Sequence, residues 1–179
     1  MIPPRQPYRI AQICVVVEDL EKALKTYQEL MGWGPWQIYD YKPPVVHSRR
    51  LHGKEEDFTM IGAEFEVQPG LSFELIQPLE GPSIYKEHLE KHGEGLHHLA
   101  VVMPTLAEAD VPREHFAQNG IAVSMEGKLG EEGGPGEYCY FYYMETEPQL
   151  KFVLESFVLE SGSDAEQPAD AVRQAPPAT

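Results

Sequence analysis

The hydrophobic and polar positions near the start of the chain follow a pattern of one strand, one helix and three further strands. Residues 9–17 are apolar and rich in β-branched side chains, which is typical of a buried strand. Glu18 and Asp19 then provide an N-terminal cap for an amphipathic helix over residues 20–31, which glycines and a proline end at residues 32–35. The next strands are predicted at residues 36–41, 58–67 and 71–77. Together these elements form a βαβββ module over residues 8–80.

The same order of elements begins again after a short predicted helix at residues 83–91. An apolar strand starts at Gly95, and a helix over residues 105–119 follows it. The closing strands are predicted at residues 121–125, 138–144 and 150–158. The second module therefore covers residues 95–160.

The two modules align when Gln12 is placed against His98. This alignment also matches the apolar residues 15–17 with 101–103, which indicates an internal duplication. Pro112 lies inside the second predicted helix, where a proline removes a hydrogen bond, so we expect that helix to start late with Asp110 as its cap. The predicted fold class is α+β, with both modules in one domain over residues 8–160.

Composition limits the partners of the chain. Its 179 residues carry a formal net charge of -15, which would repel nucleic acids and anionic membrane surfaces. No stretch approaches the length of a spanning helix, and the first residues lack a signal-peptide pattern, so we expect a cytoplasmic protein.

Cys14 and Cys139 are the only cysteines and lie in apolar runs, as reduced, buried thiols do. Residues 161–179 are rich in Ser, Ala, Pro and Gln, which predicts a disordered tail.

Ligand-capable side chains occur inside otherwise apolar predicted strands. Gln12 and His98 occupy equivalent positions in the first strands of the two modules, and Glu74 and Glu155 do so in the last strands. A buried carboxylate needs a compensating charge, so its recurrence in both modules favours a shared cation. Two carboxylates, one imidazole and one amide oxygen suit Zn²⁺, Co²⁺, Ni²⁺, Mn²⁺ or Mg²⁺. His97 points to the opposite face of its strand, and we interpret it as structural.

The sequence resembles the vicinal oxygen chelate superfamily, which includes glyoxalases, bleomycin-resistance proteins and extradiol dioxygenases. The resemblance rests on VVVEDLEKALKTYQELMGWGPW, FELIQPLEGPSIYKEHLEKHGEGLHHLAVVM and FVLESF, and is greatest to methylmalonyl-CoA epimerases. It implies paired βαβββ modules that form a curved mixed sheet around a metal-binding cavity. It also implies that the ligands lie on the first and last strands of each module, at Gln12, Glu74, His98 and Glu155.

Two features depart from the epimerase pattern. Such epimerases usually carry His at the position of Gln12, whereas some glyoxalase I enzymes use a Gln, Glu, His, Glu set. The segment 42–56 is also longer than the epimerase equivalent. We therefore expect a different substrate.

The resemblance implies a metal-dependent epimerase or racemase that shifts a proton next to the carbonyl of a small acyl thioester or ketone. This chemistry requires a Lewis acid, a carboxylate base and exclusion of water. Asp57 is the first candidate base, because epimerases place a catalytic Glu at a matching distance before Glu74. Glu155 is the second candidate base.

Two other functions remain open at this stage. One is a glyoxalase I-type lyase that uses the same metal set, and the other is a metal-free small-molecule binding or resistance protein of the same fold. Exposed strand edges favour a homodimer, and the resemblance implies one because members of the family often dimerise.

Overall fold

A mixed β-sheet with four helices forms the part of the chain that the computed structural model describes, which is residues 9–132, 139–159 and 172–174. The first half contains β1 (Arg9–Val16), α1 (Leu20–Met31), β2 (Gln37–Tyr41), β3 (Val46–Leu51), β4 (Lys54–Glu55), β5 (Met60–Gln68) and β6 (Leu71–Pro78). The second half contains α2 (Ile84–His92), β7 (Gly95–Met103), α3 (Leu106–Gln118), β8 (Val123–Leu129), β9 (Cys139–Met144), α4 (Glu147–Leu150) and β10 (Val153–Leu159). A last strand, β11 (Val172–Gln174), follows.

Strand pairing repeats between the two halves. In the first half β2, β5, β6 and β1 are neighbours, with β1 parallel to β6. In the second half β8, β9, β10 and β7 are neighbours, with β7 parallel to β10. An antiparallel pairing of β1 with β7 joins the halves into one curved half-barrel. The predicted α+β fold of two tandem βαβββ modules is therefore confirmed.

The two longer helices cover the outer face of the sheet. Leu20 and Leu24 of α1 pack with Val15 and Leu75, and Ala109 of α3 packs with Val101. The side chain of Asp19 accepts a hydrogen bond from the backbone of Lys22, as its predicted role of cap requires. The concave face of the sheet is left for α2 and for side chains of the strands.

The prediction of a late start for α3 was wrong. The helix begins at Leu106, and Pro112 lies inside it. The side chain of Thr105 accepts a hydrogen bond from the backbone N–H of Glu108 and donates one from its hydroxyl to the carboxylate of Glu108, so Thr105 is the N-cap. This cap stabilises the first turn in spite of the proline.

The segment 42–56, expected only to be longer than usual, forms the strands β3 and β4. β2 lies near one end of the sheet, whereas β3 pairs with β8 near the other end. Only residues 42–45 connect β2 to β3, so these two parts of the sheet lie within roughly 17 Å of each other. We call residues 42–59 the crossing segment, because the chain crosses the open side of the half-barrel twice there.

The crossing segment packs into the concave face. Val46, Leu51 and Phe58 are buried in the same cluster as Phe141 and Tyr143. These side chains cover part of the concave face between the two ends of the sheet.

An arginine of β3 holds one end of the crossing segment. Arg49 donates from Nη1 to the carbonyl of Phe58 at 2.7 Å and from Nη2 to Oδ1 of Asp57 at 2.6 Å. Its side chain is largely buried, whereas that of Asp57 is 96% exposed. The guanidinium therefore stabilises the end of the segment that leads into β5.

The remaining differences from the sequence predictions lie late in the chain. The short helix α4 was not predicted, and β10 begins after it. Within the predicted disordered tail, residues 172–174 form β11 against β2, so the prediction was wrong for these three residues. The rest of 161–179 lies outside the described residues.

Both cysteines are buried and free, as predicted. No helix in the described ranges has the length and apolar character of a membrane span.

Gly81 is expected to be essential where the crossing segment meets the end of β6. Gly81 has a φ of +70°, and an added Cβ would lie 1.9 Å from the carbonyl oxygen of Asp57. Gly32 has a φ of +67° with nothing near its Cβ position. Gly32→Ala should lower the free energy of unfolding by about 1–2 kcal/mol, the cost of the left-handed conformation, and Gly81→Ala by clearly more. Urea denaturation measures both free energies of unfolding. Equal losses in the two variants would contradict the close contact between Gly81 and the backbone of Asp57.

Candidate metal centre

Side-chain alternation along the central strands places the predicted ligands on the concave face. Gln12 lies on β1, Glu74 on β6, His98 on β7 and Glu155 on β10. These four strands are consecutive in the sheet, in the order β6, β1, β7, β10. The structure thus brings all four predicted ligands together.

The imidazole of His98 is at the middle of this group. Its Nε2 lies 3.0 Å from Oε2 of Glu155 and 3.5 Å from Oε2 of Glu74. Oε1 of Gln12 lies 3.4 Å from the same nitrogen. Glu74, His98 and Glu155 are all buried. Four donor groups therefore converge on one small volume.

The duplication extends to the strands beside Glu74 and Glu155. Glu64 on β5 is paired with Glu74, and Tyr143 on β9 is paired with Glu155. Oε1 of Glu64 accepts a hydrogen bond from the amide of Gln12 at 3.3 Å. Sequence reasoning missed Glu64, because with Glu66 it resembles the solvent face of a strand; its register against Glu74 is visible only in the sheet.

The buried charges shift one another's protonation. Burial, together with the charges of Glu74 and Glu155, raises the pKa of Glu64 to about 8. Burial also raises the pKa of Glu74, although His98 opposes that effect. For His98 burial lowers the pKa, but the nearby carboxylates of Glu155 and Glu74 outweigh it and raise the pKa to about 9. The site therefore holds more negative charge than its one imidazole can balance.

The residues present fit a divalent cation. Oε2 of Glu155 is buried and has no hydrogen-bond partner among the described residues, because its approach to His98 lacks hydrogen-bond geometry. A buried carboxylate oxygen in that state is stabilised by a cation. Carboxylates, imidazole and an amide oxygen are also the donors that divalent ions such as Zn²⁺ and Mn²⁺ accept.

His97 is the neighbour of His98 in β7 and contacts it. Its Nδ1 lies 2.9 Å from Nδ1 of His98, so one of the two nitrogens carries the proton between them. When His98 donates this proton, its Nε2 is directed at the carboxylates. The ring of His97 packs edge-on against Tyr85 and His88 of α2, which agrees with the structural role expected for it.

A cavity of about 280 Å³ adjoins the group and is lined by Gln12, Glu64, Glu74 and Glu155 together with aromatic side chains. Tyr85 from α2 and Tyr143 from β9 both line it, and their hydroxyl oxygens lie 2.6 Å apart. A volume of this size is at the lower end of small-molecule sites.

The structure does not bring Asp57 to this cavity. The Asp57 side chain is exposed and pairs with Arg49, as described above, and it lines a separate, larger cleft on the outside of the crossing segment. The distance along the sequence between Asp57 and Glu74 had suggested that Asp57 is a catalytic base. Its neighbour Phe58 is buried in the concave-face cluster, whereas the carboxylate of Asp57 is on the exposed side of the chain.

Comparison with known proteins identifies the family. Residues 11–141 match the Glyoxalase/Bleomycin resistance protein/Dioxygenase superfamily. The chain belongs to this superfamily. The donor positions that the family resemblance implies, at Gln12, Glu74, His98 and Glu155, are the side chains that converge on the concave face.

Several solved structures share the fold of this superfamily member. A hypothetical protein from Bacillus halodurans has a TM-score of 0.58 at 16% identity, covering 87% of this chain and 96% of its own. Methylmalonyl-CoA epimerase from Mycobacterium tuberculosis has a TM-score of 0.54 at 17% identity, covering 84% and 87%. A variant of the Streptomyces coelicolor methylmalonyl-CoA epimerase in complex with 2-nitronate-propionyl-CoA has a TM-score of 0.54 at 16% identity, covering 86% and 98%. No curated protein sequence matches the chain.

The stability of the metal-free chain should fall as pH rises. Glu64 and His98 bind protons more tightly when folded, with pKa values of about 8 and about 9 against 4.5 and 6.5. Their contribution is therefore complete below the unfolded values and is lost as pH rises through the folded ones. Urea denaturation from about pH 5 to 9 should show a decreasing free energy of unfolding. In Glu64→Gln the free energy of unfolding should depend less on pH below about pH 8. An unchanged slope would argue against a contribution of Glu64.

Proposed function

We propose that the chain is a divalent-metal-dependent isomerase, an epimerase or racemase that shifts a proton on the carbon next to a carbonyl. The observation that carries the proposal is the group of Gln12, Glu74, His98 and Glu155, the last three of them buried, beside a cavity that a further carboxyl group, Glu64, also lines. Such chemistry needs a place for developing negative charge and a positioned base, and this arrangement offers both.

The four side chains Gln12, Glu74, His98 and Glu155 would hold the ion. A bound ion would supply Lewis acidity toward a substrate oxygen. Glu74 comes from the first module and Glu155 from the second, so the substrate would lie between the two halves of the sheet.

Glu64 is the first candidate base, and Glu155 is the second, in a state in which it has left the ion. They lie on β5 and β10, on either side of the central strands β1 and β7, so they can approach a bound carbon from different directions. A pKa of about 8 suits Glu64 for both accepting and returning a proton near neutral pH. Asp57 has no part in this proposal, since its side chain is outside the cavity.

Buried aromatic side chains beside the cavity support the exclusion of water. Phe58 of the crossing segment and Tyr85 of α2 are fully buried in the same cluster as Phe141 and Tyr143. A carbanion next to a carbonyl is protected when solvent protons are kept away from it. The structural neighbours named as methylmalonyl-CoA epimerases support the same class of reaction.

One observation favours a second candidate, a glyoxalase I-type lyase. Gln12 occupies a donor position with its amide oxygen directed at His98, as in glyoxalase I enzymes that use Gln, Glu, His and Glu. The lyase would use the same ion and a similar proton transfer, but its substrate would be a hemithioacetal. A metal-free binding protein is the third candidate, which the buried, unbalanced carboxylates disfavour.

Metal binding is the first test. Protein purified without chelators should contain about one divalent ion per chain, and Glu74→Ala or His98→Ala should lower the affinity for added Zn²⁺ or Mn²⁺ by at least about 100-fold. His115→Ala, on the outer helix α3, is the matched control and should keep wild-type affinity. Wild-type protein that binds none of these ions would contradict both enzyme hypotheses.

Proton exchange is the test of the reaction. In deuterated solvent the wild-type enzyme should introduce deuterium next to the carbonyl of a substrate from a panel of small thioesters and ketones, followed by NMR. Glu64→Gln should slow exchange by about 10²–10⁴-fold while keeping the ion, because it removes a base and not a ligand. Turnover of hemithioacetals without exchange into the panel would favour the lyase instead.

A further inference from the structure

We propose that Cys14 is an additional donor at this centre, and that its sulfur makes the site selective for thiophilic ions such as Zn²⁺, Co²⁺ and Ni²⁺ over Mg²⁺ and Mn²⁺. This inference rests on the proposed metal site and states which class of ion that site takes. None of the ligand positions implied by the family resemblance includes Cys14.

The sheet places Cys14 between two of the proposed ligands. On β1, Cys14 is paired with Glu74 of the parallel neighbour β6 and with His98 of the antiparallel neighbour β7. Gln12 is paired with Ser72 and Ala100 instead. Cys14 is therefore the β1 residue whose backbone lies beside both Glu74 and His98.

The side chains also converge. Sγ of Cys14, a carboxylate oxygen of Glu74 and a ring nitrogen of His98 all lie within 4.8 Å of one another, and all three residues are buried. Cys14 has 0% exposed surface. A cysteine in this position has titratable partners on both sides, whereas a structural buried cysteine usually has apolar ones.

The duplication provides an internal comparison. The alignment of Gln12 with His98 places Cys14 against Ala100, which is also fully buried. The second module therefore fills this position with a methyl group, and an alanine is compatible with the fold there. The thiol is the one ligand-capable group that breaks the repeat at this register position.

A sulfur donor changes the preference of the site. Two carboxylates, one amide oxygen and one imidazole form an oxygen-rich set that Mg²⁺ and Mn²⁺ also accept. When Cys14 binds, its S–H bond breaks, the proton passes to solvent by way of a neighbouring carboxylate, and a sulfur–metal bond forms with no change in oxidation state. Thiolate combined with imidazole favours Zn²⁺ and its thiophilic neighbours.

Cys139 is a matched control within the same chain. It is buried and lines the same cavity, but it lies at the far end of β9, paired with Leu159 and Leu129. It is not among the residues that converge on His98. Substitution of Cys139 should therefore leave the metal centre unchanged.

The experiment is cobalt substitution of the full chain after removal of bound ions. Wild-type protein and Cys139→Ser should show a near-ultraviolet sulfur-to-cobalt charge-transfer band, and Cys14→Ser and Cys14→Ala should lack it. The affinity for Zn²⁺ should fall by about 10–100-fold in the Cys14 variants, with little change for Mn²⁺. Circular dichroism checks that the variants fold; if neither Cys14 variant does, the band in wild type and Cys139→Ser decides.

The outcomes separate the two proposals. Co²⁺ that binds without a sulfur band, or a band that persists in Cys14→Ser, would overturn the role of Cys14 and leave the proposed isomerase site intact. Absence of Co²⁺, Zn²⁺ and Mn²⁺ binding by wild-type protein would overturn both. If the band is lost in Cys139→Ser and kept in Cys14→Ala, the sulfur donor is Cys139 and the proposal is overturned.

Discussion

The placement of three carboxyl groups, two of them buried, beside a single imidazole is the constraint on which the rest of this structure depends. Glu64, Glu74 and Glu155 line one cavity beside His98, and apolar surroundings make each unbalanced charge cost several kcal/mol. Bound protons or a bound cation must therefore balance them. A fold that maintains such an arrangement needs rigid strands on every side, and the central strands of the sheet provide them.

The repeated fold and the convergence of Gln12, Glu74, His98 and Glu155 could be predicted from the sequence, because strand alternation, helix caps and the internal repeat are visible along the chain. The repeat by itself relates Gln12 to His98 and Glu74 to Glu155. Glu64 and Cys14 could not be found in this way, since their significance depends on which residues face them across neighbouring strands. The crossing segment was missed for a similar reason: β3 is a polar strand whose partner, β8, lies in the other module.

Asp57 shows the limit of an argument from spacing. Its distance along the chain from Glu74 matches the family pattern, yet Asp57 lies in the crossing segment and pairs with Arg49. Glu64, ten positions before Glu74, lines the cavity instead. Position in a strand register is therefore a better guide to which carboxyl groups reach this cavity than distance along the sequence.

The crossing segment also affects how the two halves of the duplication unfold. Because it begins in one module and pairs with the other, it ties the two halves together. Separation of the modules therefore requires β3 to leave β8 as well as β1 to leave β7. We expect the two modules to unfold as one cooperative unit.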